Sequence, residues 1–170
     1  VGSYRVLSFG LLNGLKRLGV EARQATKEDV RAVSRAGKGG PVCFDTPSHY
    51  EITWQGKKLI GSAQLRRKQI VLQHGTLPLC GDLNRILKVL NFSDADRKQQ
   101  QQLLPQRATT LEQVLGKGLS FDVVSEALIR GFAEALNLSF EEMPLTDQEQ
   151  KMADKLRVDQ YANNKWKKRV

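Results

Sequence analysis

Cysteine is nearly absent: Cys43 and Cys80 are the only two in 170 residues. They form no CxxC pair and sit in no Cys/His cluster, which argues against a disulfide framework and against a metal centre, and fits a reducing, cytoplasmic setting. Long hydrophobic runs are absent too, and the chain opens with no signal-peptide pattern, so no membrane partner is expected. Aromatic residues are scarce, at 6%. Acidic residues are outnumbered, 18 against 27 lysines and arginines, for a net charge of +9. That balance asks for an acidic macromolecular partner. The cations are scattered, however, with Arg66-Arg67-Lys68 reading as a turn and Lys165, Lys167, Lys168 and Arg169 as a solvated tail. Without a zinc finger, an RNA-recognition signature or a basic helix, nucleic acid is not expected.

What is there suits one domain with a real core. Val6, Leu7, Phe9, Leu11, Leu15 and Leu18 recur at helical spacing over residues 3 to 18, and Gly19 stops that helix. A short strand over Val20 to Arg23 and a polar helix over Lys27 to Ser34 follow. Three alternating runs, His49 to Trp54, Lys57 to Arg66 and Gln69 to Leu77, predict antiparallel strands. From residue 81 the period turns helical. Leu83, Ile86, Leu87 and Leu90 mark one helix and Ala95 to Leu104 a polar one. Thr109 with Glu112 caps a third, Ser120 a fourth carrying Val123, Val124, Ala127, Leu128, Phe132 and Leu136, and Thr146 with Glu149 a last one reaching about Tyr161. The class is α+β, a central antiparallel or mixed sheet flanked by helices.

Cys43 stands in a Gly/Pro-flanked loop just before the hairpin, where a reactive group would be presented. Gln55-Gly56 fits a two-residue turn, so Trp54 pairs with Lys57, Thr53 with Lys58, Ile52 with Leu59 and Tyr50 with Gly61. Strict alternation then puts Tyr50, Ile52, Trp54, Leu59, Ala63 and Leu65 on a core face, with Lys57 snorkelling out beside the turn. The opposite face holds Glu51, Thr53, Lys58, Ile60, Ser62 and Gln64. With a second turn at Arg67-Lys68, Gln73 joins that polar face opposite Ser62, and His74 lies against Gly61. By itself His74 reads as a structural histidine, and the polar face as solvated surface. Gly61, Ser62 and Ala63 change the balance, because small residues leave room beside a lysine for a carbonyl or phosphate. Lys58 is accordingly expected on a roomy, solvent-reached face, where truncation would barely alter stability.

The stretch VCFDTPSHYEITWQGKKLIGSAQLRRKQIVLQHGTLPL resembles the central motif block of the lipoate-protein ligase A-like family. It is nearest the branch of cysteine-dependent octanoyltransferases that load the glycine cleavage H protein. SYRVLSFGLLNGLKRLGVEA is similar to the helix and strand that precede that block, and DQYANNKWKKRV to the family's closing helix and tail. The resemblance spans the whole chain and is most specific over residues 42 to 79. It implies the class II aminoacyl-tRNA synthetase/biotin-protein-ligase-like fold and a ping-pong acyl transfer. Octanoyl would pass from acyl carrier protein to Cys43 and then to a lysine of a lipoyl domain such as glycine cleavage H protein. Lys58, not Lys57, matches the family lysine, and Gly61, Ser62, Ala63, Gln73, His74 and Gly75 fall at its substrate contacts.

These residue types suit that chemistry. A thiol ordinarily titrates near about 8.5, and an adjacent ammonium raises its thiolate fraction. The same cation can stabilise the oxyanion of each tetrahedral intermediate. Burying about seven methylene and methyl groups at roughly 0.8 kcal/mol each is worth on the order of 5 kcal/mol, enough to sense chain length. A basic surface suits acidic carrier proteins and lipoyl domains. As a transferase the protein would need no cofactor. The alternative, an ATP-dependent lipoate ligase, would use ATP and Mg with the same lysine. The loop Ala36-Gly37-Lys38-Gly39-Gly40 lacks P-loop spacing and reads instead as a mount for Cys43. Cys80 matches no motif and reads as structural. The chain starts at Val1 without Met, and the family's Arg-Arg…Gly-Gly-Arg segment has no counterpart. Residues 1–170 therefore read as a single catalytic domain missing its N-terminal part, with the remaining N-terminal part of the same protein as a partner. A non-catalytic fragment or paralogue that binds a partner is the reading from another class.

Overall fold

Helix α1 (Gly2–Arg17) begins the chain in the computed structural model, which describes residues 2–35 and 51–168. Its apolar periodicity is only partly used. Leu15 is fully buried and Leu11, Leu12 and Leu18 pack on the core, whereas Val6 and Phe9 are exposed. The reason is a second buried stripe made of glycine. Gly10 and Gly14 face Gly131 of helix α5 (Phe121–Leu136), so closely that a Cβ on Gly131 would lie 2.2 Å from the Gly14 nitrogen. Phe132 covers Gly10 and Leu128 covers Gly14. The two helices thus touch backbone to backbone, and side chains fill the space on either side.

Between these helices in sequence run β1 (Arg23–Gln24), α2 (Lys27–Arg35), β2 (Ile52–Trp54), β3 (Lys57–Arg67) and β4 (Ile70–Thr76). The strands form an antiparallel sheet in the order β1-β2-β3-β4. Cys43, Tyr50 and the glycine-rich loop lie outside the described residues. Arg23 holds Asp29 through both guanidinium nitrogens at 2.6 and 2.8 Å, fastening β1 to the first turn of α2. Those bonds, with the Thr26 amide at 2.7 Å, hold the Asp29 carboxyl well below the usual carboxylate range.

The β2–β3 turn is as the sequence predicts, with Gln55 and Gly56 both at positive φ (47° and 80°). Trp54 pairs with Lys57 and Thr53 with Lys58. Beyond that point the register shifts: Ile52 pairs with Ile60, not Leu59, because β3 carries one extra residue. A bulge of this kind reverses the alternation on everything past it. Leu59 and Ile60 both enter the main core with Ile52, Leu15, Val20, Leu111 and Val124. The expected core face of Ala63 and Leu65 is instead exposed, with Leu65 at 61% and its partner Leu72 at 55%.

The β3–β4 turn also differs. Arg67 pairs with Ile70, so the loop is Lys68-Gln69. His74 therefore lies opposite Ala63 and Gln73 opposite Gln64, two residues from the expected partners.

After β4 the chain leaves the sheet. The carbonyls of Pro78 and Leu79 accept from the Leu111 and Glu112 amides (2.9 Å each), satisfying N–H groups at the start of α4 (Leu111–Leu115) that the helix itself leaves unpaired. That helix is capped by Thr110 and Gln113, one residue later than the sequence suggests. The segment with Leu83, Ile86 and Leu87 is a 3₁₀ turn (Leu83–Lys88) capped by Asp82. It packs with α3 (Asp94–Arg107) around a second small core of Leu87, Leu104 and Ala108.

Residues 2–139 belong to one compact unit, and 140–170 to another. The second holds α6 (Asp147–Leu156), a π-helical turn (Arg157–Tyr161) and α7 (Asn164–Lys167). Thr146 and Glu149 form the expected capping box, and Tyr161 meets Trp166 edge-on with ring centroids 5.0 Å apart. Among the described residues no helix is long and apolar enough to cross a membrane.

Candidate active site

Lys58 lies where β3 is flanked on both sides. Thr53 pairs with it from β2, and Ala108 bridges it in parallel, with the Thr109 amide donating to the Lys58 carbonyl at 3.0 Å. Water is thereby excluded, and Lys58 is 3% exposed. This corrects the expectation of a solvent-reached amine. A buried ammonium needs a counter-charge, and Glu51 supplies it: the Lys58 Nζ stands 2.9 Å from Glu51 Oε1, both side chains being about 95% buried (4% and 5% exposed). The same Glu51 oxygen accepts from the Ser62 amide at 3.3 Å. Lys57, by contrast, reaches out to donate to the Pro105 carbonyl at 2.8 Å.

The bulge sorts the remaining candidates. Lys58 and Ile60 lie on opposite faces, so Lys58 shares its face with Gly61 and Ala63, and with His74 opposite Ala63. Ala63 and His74 are exposed and Gly61 half-buried. Ser62, Gln64, Gln73 and Gly75 take the other face, beneath α1. There Ser3 Oγ donates to Gln64 Oε1 and Gln64 Nε2 to Gln73 Oε1 at 2.8 Å, and a Cβ on Gly75 would meet Ser62 Oγ at 2.9 Å. The expected polar face of Lys58, Ser62, Gln64 and Gln73 is therefore divided between the two sides of the sheet.

Two cavities adjoin this sheet. One of about 470 Å³ is lined by Ser62, Gln73, His74 and Gly75 together with Leu11, Ile60, Phe121 and Leu128. Another, of about 930 Å³, follows the end of β4 and the 3₁₀ turn, with Leu77, Leu79, Leu83, Ile86 and Val89 as its apolar wall and Arg85 and Lys88 as its cations. Both volumes fall in the range of about 300–1,000 Å³ usual for small-molecule sites. Cys80 lines the larger cavity and is exposed, which does not suit a purely structural thiol. Among the described residues no group of three His, Cys, Asp or Glu side chains could hold a metal ion.

Residues 1–133 match the Lipoyl protein ligase A/B catalytic domain. The chain belongs to that family. Similar curated members of the lipoyl ligase family include the octanoyltransferase LipM of Kyrpidia tusciae, 39% identical over 165 residues, and that of Brevibacillus brevis, 34% identical over 168 residues. Each match takes in 96% of this chain and 60% of the relative, so the chain spans about three-fifths of the length of the curated proteins it matches. Among solved structures, a lipoate-protein ligase A bound with ATP is similar at a TM-score of 0.72 and 27% identity, over 97% of this chain and 57% of that one. The α+β fold expected from the sequence is therefore that of the lipoyl ligases. Glu51 is the site residue that sequence reading left without a role. Its signal was an acidic residue on the same hairpin face as Lys58, on the facing strand.

Proposed function

We propose that this chain carries catalytic residues of an octanoyltransferase of protein lipoylation. The observation that carries the reading is the buried Lys58 ammonium beside the small residues Gly61 and Ala63. It is supported by the curated relatives named octanoyltransferase LipM. In the proposed reaction the Cys43 thiolate attacks the thioester carbonyl of octanoyl-acyl carrier protein, and the C–S bond to the carrier breaks. The carrier leaves as a thiol after taking up a proton. The ε-amine of a lipoyl-domain lysine then attacks the Cys43 thioester, forming an amide, losing a proton and releasing the Cys43 thiol. At each tetrahedral stage the Lys58 ammonium supplies positive charge to the oxyanion. Thioester exchange is nearly balanced, and amide formation drives the sequence forward. Of the other contacts proposed from the motif, Gly61 and Ala63 share the Lys58 face, while Ser62, Gln73, His74 and Gly75 line the cavity whose apolar walls fit an acyl tail.

A second reading, an ATP-dependent lipoate ligase, draws support from the likeness to the ATP-bound ligase. Arg85 and Lys88 at the larger cavity have the charge to meet a phosphate. The deciding experiment incubates the full-length protein with octanoyl-acyl carrier protein, without nucleotide, and maps the product. A hydroxylamine-labile octanoyl adduct on Cys43 that passes to a lipoyl domain is expected. An adduct on Cys80 alone, or acylation of the lipoyl domain only with ATP and Mg, would overturn the transferase reading.

A further inference from the structure

We infer that Glu51 is a positioning residue that acts through Lys58, holding its ammonium at one place for the acyl transfer; this rests on the transferase reading above. Glu51 is itself held through both its backbone and its side chain. Its carbonyl accepts from the Ala25 amide at 2.7 Å, and its carboxylate accepts from the Ser62 amide at 3.3 Å and from Lys58 Nζ at 2.9 Å. The backbone is therefore tied to the chain just past β1 and the side chain to β3, on either side of β2. The Glu51 carboxylate thus spans from the start of β2 to the Ser62 N–H of β3.

A lysine on four flexible carbons is a poor oxyanion donor unless something else fixes it, because placing its amine costs rotamer entropy. The Glu51 carboxylate bears that cost in folding, before any substrate arrives. Glutamine at position 51 would still accept from Ser62 and fill the same volume, but it carries no charge to anchor the ammonium. That substitution separates positioning from packing.

The test uses the full-length protein with Glu51→Gln, Glu51→Asp, Lys58→Met and the Glu51→Gln/Lys58→Met pair. It reads octanoyl transfer and, separately, the rate at which an amine-acylating reagent labels Lys58, with Lys57 on the same strand as internal reference. Glu51→Gln should lower kcat by about 100-fold, the scale of a lost oxyanion donor, with the KM for the acyl donor changed less than about twofold. Glu51→Asp, which restores the charge, should recover part of that loss. In the Lys58→Met background Glu51→Gln should cost less than about twofold more, as expected of a residue acting through its partner. Labelling of Lys58 relative to Lys57 should rise in Glu51→Gln. Unchanged kcat and labelling, an equal loss in both Lys58 backgrounds, or labelling that rises as much at Lys57 would each overturn the inference. If the wild type transfers no octanoyl but Glu51→Gln still frees Lys58 to the reagent, the positioning stands and the transferase reading falls.

Discussion

Removing the Lys58 ammonium should unfold this protein more readily than its place in a catalytic motif suggests. With the side chains of Lys58 and Glu51 at 4% and 5% exposure, Lys58→Ala leaves the Glu51 carboxylate in the interior without the Lys58 cation. Breaking a buried pair from one side costs about 3–5 kcal/mol. At roughly 2–4 °C per kcal/mol for a chain of this size, the midpoint should fall by about 6–20 °C. Lys57→Ala is the built-in comparison. It loses one bond, to the Pro105 carbonyl, worth about 1 kcal/mol or less. Replacing both partners, as Lys58→Met with Glu51→Leu, should return most of the loss, because two apolar groups in place of a buried pair are often neutral. Calorimetric or circular-dichroism melts of the four proteins at neutral pH decide the matter. If Lys58→Ala melts within about 2 °C of wild type, the amine is solvated after all and the burial argument fails. If the double variant melts below the single one, the cost came from lost packing rather than an orphaned charge.

Two further predictions concern the frame that carries the site. Gly131→Ala should destabilise by at least about 1–3 kcal/mol despite alanine's better helix propensity, since the new methyl would meet α1 backbone at 2.2 Å from the Gly14 nitrogen; a melt at or above the wild-type temperature would refute the backbone contact. Asp29, held below its usual range by Arg23, contributes stability that is present above its unfolded pKa of about 3.9 and is lost as pH falls toward the depressed folded value. The gap between wild type and Asp29→Asn in urea titrations should therefore shrink from pH 6 to pH 3, and a constant or growing gap would refute the assignment.

How much of this was legible in the sequence depends on what each signal measures. Caps and tight turns are local, so Ser120, Thr146 with Glu149, and Gln55-Gly56 stand where they were read. Register is not local, and the two register differences had unequal effects. Placing the second turn one residue early displaced His74 and Gln73 by two positions on β3, which preserves the face of each and alters only its neighbours. The extra residue at Leu59 moved the pairing by one, and one is enough to send Lys58 to the opposite side of the sheet from Ser62. The sequence does hold a trace of it, since Leu59-Ile60 places two large apolar residues side by side where alternation calls for one. Both are in the core, and a strand can bury consecutive side chains on one face only by bulging. The burial of Lys58 had no such trace, because it comes from Ala108 and Thr109, some fifty positions away in the chain. The bulge therefore links fold to chemistry here. It lets Leu59 and Ile60 both enter the core and puts Lys58 on the side of the sheet that carries Gly61 and Ala63.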